Sequence, residues 1–265
     1  MALPGCTRSW LVAVLAVAAV VVGLPATAGA QVTPGPARPS QQLPDADFLF
    51  GRPRGSIGIR GSLAIPTEGS DLFDFVRDQL TIEKGDFRSA AFAFDVGVAL
   101  TPRVDVVAGL DLARKTVASE YRDFVDNDLL PIEQQSSLRQ NAVTGSIRVA
   151  LAPRGRSVGR FAWIPSRVQP YVGAGGGVLF WEFSQSGDFV DFQDFSVFPD
   201  TFSAKGVSPT AHVLGGTDVQ VYKRLMLTVE GRYVWASGTL EDDFIGFEPL
   251  DLSGFRVSAG INFVF

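Results

Sequence analysis

The last stretch of this 265-residue chain constrains its fold most. From Gly254 to Phe265 one face carries Phe255, Val257, Ala259, Ile261, Phe263 and Phe265, and the other carries Gly254, Arg256, Ser258, Gly260 and Asn262. A period of two is the signature of an extended strand whose side chains point alternately to either side. Strands in soluble sandwiches average about six residues, so a pattern running for more than ten asks for a taller sheet. Small or polar residues occupy one face only, and the pattern runs up to Phe265 with no polar tail.

The same alternation recurs upstream. Ile57, Ile59, Leu63 and Ile65 oppose Gly58, Arg60 and Ser62; Phe92, Phe94, Val96, Val98 and Leu100 oppose Ala93, Asp95 and Gly97. After Thr101-Pro102-Arg103, Val104, Val106, Ala108, Leu110 and Leu112 oppose Asp105, Gly109 and Asp111. Val143, Ile147, Val149 and Leu151 oppose Thr144, Ser146 and Arg148, while Tyr171–Phe183 is so rich in glycine that its faces cannot be told apart. Ala211, Val213, Thr217, Val219 and Val221 oppose His212, Gly216, Asp218 and Gln220; Leu225, Leu227, Val229, Tyr233 and Trp235 oppose Thr228, Glu230 and Arg232. With the last strand this predicts an all-β, antiparallel, up-and-down transmembrane barrel of about eight strands.

The connections alternate in length. Thr101–Arg103, Pro153–Val168 and Tyr222–Arg224 are expected as turns on one side, the second of them unusually long. Pro66–Phe87, Asp123–Gln135, Ser184–Gly206 and Thr239–Leu252 are expected as long loops on the other side. Short turns on one side and long loops on the other are the asymmetry of an outer-membrane barrel. In the first long loop, Ser70-Asp71 followed by Leu72, Phe73, Phe75, Val76 and Leu80 predicts a capped amphipathic helix.

The N-terminus reads as an export signal. Arg8 precedes the apolar run Trp10–Leu24, Pro25 breaks it, and Ala28-Gly29-Ala30 offers small residues for cleavage before Gln31. The expected division is residues 1–30 as signal peptide, 31–47 as a Pro-rich periplasmic leader and 48–265 as the barrel domain. The single cysteine, Cys6, falls in the signal, so the mature chain has no disulfide to rely on. No later run approaches the ~20 apolar residues of a helical span, yet there are 21 Phe, 19 % charged residues and a mean hydropathy of +0.19. A mildly hydrophobic exported chain without a helical span fits a barrel whose apolar residues are diluted by alternation. A soluble barrel with an apolar interior is the competing reading, and it would leave the charged faces outside.

Two segments carry a family resemblance. Gly254–Phe265 resembles the C-terminal signal read by the outer-membrane assembly machinery, with Phe255, Val257, Ile261, Phe263 and Phe265 as its apolar positions. Pro170-Tyr171-Val172-Gly173-Ala174-Gly175-Gly176-Gly177 resembles the glycine-rich strand of small eight-stranded barrels. Together they resemble the OmpA-type and OmpX-type outer-membrane barrel family over roughly 48–265. The resemblance implies the outer membrane of a Gram-negative bacterium, with lipid, lipopolysaccharide and the barrel assembly machinery as partners and a monomeric state. Members differ widely in activity, so it implies fold and place rather than a reaction.

The residues with most chemistry are the charges on the polar faces: Arg60, Arg148, Arg232 and Arg256 against Asp95, Asp105, Asp111, Asp218 and Glu230. An eight-stranded barrel is only wide enough for its own side chains, so these charges are expected to pair in an interior network. A gated polar path for small solutes or ions is the alternative.

No catalytic, cofactor or metal site is expected. His212 is the only histidine and lies on an inward face, too little for zinc and without an outward serine partner for hydrolysis. Gly173–Gly177 lacks the Lys-Ser/Thr of a phosphate loop. At a net charge of −5 the chain shows no basic face for nucleic acid. The long loops are acidic, with Asp71, Asp74, Asp78, Asp123, Asp126, Asp128, Asp188, Asp191, Asp194, Glu241, Asp242 and Asp243 interleaved with Phe. The short turns are basic, with Arg103, Arg154, Arg156, Arg160, Arg167, Lys223 and Arg224. The expectation is a non-enzymatic barrel with a structural or surface-interaction role and a plugged lumen, with a small-solute or ion channel as the alternative.

Overall fold

A computed structural model describes residues 48–126, 128–240 and 242–265; the expected signal peptide and the whole of the expected leader lie outside the described residues, as does Glu241. In chain order the elements are β1 (Leu49–Phe50), β2 (Gly55–Pro66), helix α1 (Asp71–Gln79), β3 (Ser89–Ala99), β4 (Val104–Val125) and β5 (Pro131–Ala150). There follow β6 (Gly155–Val158), β7 (Ala162–Pro165), β8 (Val168–Val190), β9 (Val197–Tyr222), β10 (Leu225–Gly238), β11 (Leu250–Asp251) and β12 (Gly254–Val264). Eight of these strands, β2, β3, β4, β5, β8, β9, β10 and β12, form one antiparallel ring. It closes where β12 pairs with β2, from Gly254 opposite Pro66 to Val264 opposite Ser56.

The alternation decides which way each strand faces. Ile57, Ile59, Phe92, Phe94, Val96, Leu110, Val143, Ile147, Leu227, Val257 and Ile261 are exposed on the outside, while Arg60, Asp95, Asp111, Arg148, Glu230, Arg232 and Arg256 are buried within. A soluble barrel would bury the first set and hydrate the second. In the glycine-rich strand β8, Tyr171, Leu179, Trp181 and Phe183 point inward, and Val172, Val178 and Phe180 point outward.

Three expectations about connections are corrected. Asp123–Gln135 and Ser184–Gly206 are mostly strand: β4 and β5 are joined by 126–130, and β8 and β9 by 191–196. Beyond a bilayer both faces of a strand can be polar, so the hydrophobic alternation fades while the ladder continues. The third concerns Pro153–Val168, whose length comes from a hairpin of its own. β6 pairs with β7, and Trp163 of β7 pairs with Leu49 of β1, giving a three-stranded sheet at the short-turn end. Trp163 and Leu49 line a cavity of about 80 Å³ there, together with Asp105, Arg154, Asp218 and Met226.

The opposite end is filled with apolar side chains. Leu72, Phe73 and Val76 of α1 join Leu80, Ile82 and Phe87 of the same loop in one buried cluster. Its other members include Leu138, Leu179, Trp181 and Phe183 from the barrel wall and Phe244, Leu250 and Leu252 from the last long connection. The rings of Phe73 and Phe183 meet edge to face at 6.0 Å, and those of Phe183 and Phe244 at 5.5 Å. Helix α1 begins after Ser70 as the sequence predicts, but the Ser70 side chain makes no capping bond; Asp71 accepts from the Leu72 amide at 2.8 Å instead. Glu68, with φ at +55°, tucks its carboxylate beneath the Gly85 amide at 3.1 Å, and burial raises its pKa above the ordinary carboxylate range.

Candidate functional site in the barrel interior

Cross-strand register builds the interior. Large charged residues sit beside small ones: Arg60 between Gly260 and Ala93, Glu230 between Gly216 and Ser258, and Asp111 between Ala93 and Ala142. Asp95 stands between Gly58 and Gly109. In a lumen this narrow, a long side chain extends only where its neighbours leave room.

Glu230, 1 % exposed, is the hub. Its carboxylate meets Arg60 at 2.6 Å, Arg148 at 3.0 Å and Arg232 at 3.1 Å, and it accepts from the Tyr171 hydroxyl at 2.9 Å. Arg60 also holds Asp95 at 2.7 Å, and Arg232 holds Asp111 at 3.1 Å. Arg256 reaches Asp111 at 3.4 Å and the Gln140 side-chain oxygen at 3.4 Å. The Arg148 guanidinium lies 5.0 Å from the centre of the Tyr171 ring. Seven of the nine expected charges therefore meet in one connected set.

The other two do not. Asp105 pairs with Arg154 of the long turn at 2.6 Å, nearer the short-turn mouth. Asp218 is not a partner of the arginines as expected; it accepts from the Thr228 hydroxyl at 2.5 Å. Both stand on strand ends beside the cavity under Trp163, away from the hub.

Two interior features escaped the sequence reading. Tyr171 sits in the glycine-rich stretch whose facing was undecided. His212 contacts Ser146 across 2.8 Å between its Nε2 and the hydroxyl. These residues sit on β5 and β9 with Gly175 of β8 between them in one register row. A Cβ at Gly175 would press on His212 Nε2 and on the Gly145 carbonyl, so only glycine lets the two meet. The His212 Nδ1 has no hydrogen-bond partner among the described residues, so no third group orients this pair as hydrolysis requires.

No group of three or more metal-ligating side chains occurs among the described residues, and no helix there is long and apolar enough to cross a membrane. An apolar exterior around a paired ionic interior defines instead a small transmembrane β-barrel of the outer-membrane type, crossing with strands. No family model matches the chain, and no curated protein does. Among solved structures it is similar to the outer membrane protein OprG from Pseudomonas aeruginosa, at 15 % identity over 82 % of this chain and 99 % of that one, with a TM-score of 0.46. It is also similar to Neisserial surface protein A (12 % identity, 80 % and 97 % covered, TM-score 0.43). A third is Ail, the attachment invasion locus protein of Yersinia pestis (13 %, 79 % and 97 %, TM-score 0.38). Likeness at this level says nothing about role, and the closed ring of strand pairings itself defines the fold.

Proposed function

We propose that this chain is a plugged barrel of the Gram-negative outer membrane whose role is structural or in surface interaction, rather than a channel or an enzyme. The observation that carries the reading is the filling of the barrel. Arginine–carboxylate pairs centred on Glu230 occupy the middle, and the aromatic cluster around Phe73 and Phe183 occupies the end from which the long connections rise. Ion conduction needs a hydrated path whose sites bind weakly enough to release their ions. Paired charges crossed with dry aromatic packing supply the opposite.

Planar-bilayer recording of the purified, folded protein tests this. The expected result is no steady conductance above the bare membrane. A stable open level in the intact protein, unchanged in a variant with α1 removed, would establish a pore and defeat the plugged reading.

A further inference from the structure

The outer wall carries a charged row that neither the fold nor the interior network uses. Strand register sets Arg114 of β4 opposite Arg139 of β5, Arg139 opposite Glu182 of β8, and Glu182 opposite Lys205 of β9. All four side chains are exposed on the exterior. One step toward the short-turn end the same register reads Leu112, Asn141, Phe180 and Val207; one step the other way it reads Thr116, Ser137, Ser184 and Ser203. On β4, β8 and β9 the charge thus stands at the boundary where the apolar band gives way to hydroxyls, and on β5 Asn141 lies between Arg139 and the band at Val143.

The row is unbalanced, with three cations and one anion. Arg139 meets Glu182 at 3.8 Å, and its guanidinium lies beside the Asn141 amide, whose oxygen can be oriented to accept from Nε and Nη2 at 2.9 and 3.1 Å. Among the described residues neither Arg114 nor Lys205 makes an ion pair; Asp243 accepts from the Ser203 amide in the next row. Two arginines directly opposite on neighbouring strands repel each other, an arrangement that costs stability unless an anion lies between them. Arginine holds phosphate through paired N–H donors, and cations at a membrane boundary attract anionic headgroups.

We propose that this row is a docking site for the phosphate groups of a phosphorylated glycolipid in the outward leaflet. The inference rests on the outer-membrane reading above. Its occupant is a lipid and not a free anion, because Leu112, Phe180 and Val207 lie immediately beside the cations and are 44 %, 48 % and 64 % exposed, ready for acyl chains.

The test is native mass spectrometry of the folded protein titrated with lipid A, with enzymatically dephosphorylated lipid A, and with lipid A in the presence of inorganic phosphate. Retention is expected for phosphorylated lipid A only, at least tenfold weaker in the R114Q/R139Q/K205Q variant and several-fold stronger in E182Q, which removes the one competing carboxylate. Equal retention of the dephosphorylated lipid, loss of lipid to millimolar inorganic phosphate, or indifference to both variants would overturn the proposal. Flotation of the wild-type protein with vesicles is measured alongside. A protein that fails to float defeats the outer-membrane reading, whereas one that floats without phosphate selectivity defeats only this inference.

Discussion

Glu230 and Arg256 sit in the same network with unequal numbers of partners, and their variants should differ accordingly. Glu230→Gln leaves Arg60, Arg148 and Arg232 sharing one fewer carboxylate in a site closed to solvent, an error worth about 3–5 kcal/mol for a buried, broken pair. Arg256→Ala should cost clearly less, because Asp111 keeps Arg232 at 3.1 Å. Urea unfolding of the two variants in the same lipid vesicles measures the difference; equal losses would show that the hub is not Glu230. The inward charges were legible because period-two parity fixes facing within a strand. Their partners were not, since pairing depends on register between strands, which no single strand encodes. Asp218 illustrates the point: its inward facing is as expected, but register carries it past the arginines to Thr228.

The long strands raise a similar question of legibility at the level of elements. Where lipid lies outside and charge inside, the alternation in β2, β3, β10 and β12 is readable by eye. In the outer halves of β4, β5, β8 and β9 water replaces lipid, Ser, Thr, Gln and Asp replace Val and Ile, and the sequence looks like loop while the hydrogen bonding continues through Glu120 opposite Glu133 and Asp188 opposite Pro199. Exposed apolar residues therefore have two environments. Val96 is in the lipid band, so Val96→Arg should destabilise the barrel by roughly 2–4 kcal/mol, as a cation near mid-bilayer does. Leu129, 79 % exposed in the 126–130 turn, should accept arginine with little change. Folding titrations in vesicles of both variants check the boundary, and a costly Leu129→Arg would move it.

For the whole molecule the seam between β12 and β2 completes the ring, and Phe265 finishes it. Its carbonyl accepts from the Arg54 and Gly55 amides at 2.7 and 2.9 Å, and its own amide donates to Gly55 at 2.9 Å. Removing Phe265, or adding a polar tail after it, should lower the fraction of heat-modifiable barrel recovered from outer membranes; undiminished recovery would separate the seam from assembly. The buried apolar cluster at the long-loop end was the least legible feature at this scale. The helix was visible as an amphipathic pattern, but its destination among Phe183, Phe244 and Leu250 follows from strand positions far apart in the chain.

The unequal strand lengths also set how far the wall rises around the buried apolar cluster. β12, with 11 residues, extends roughly 37 Å at ~3.4 Å per residue, which after a tilt of about 45° only just clears an apolar band of about 25 Å. β9, with 26 residues, extends roughly 88 Å on the same rise, about 62 Å in height after the same tilt. One half of the wall thus ends near the headgroups, while β4, β5, β8 and β9 stand above it as a screen. Helix α1 lies beside a wall that is tall on one side and low on the other, with Glu248 and Phe247 of the last long connection packed against its Asp71 and Phe75.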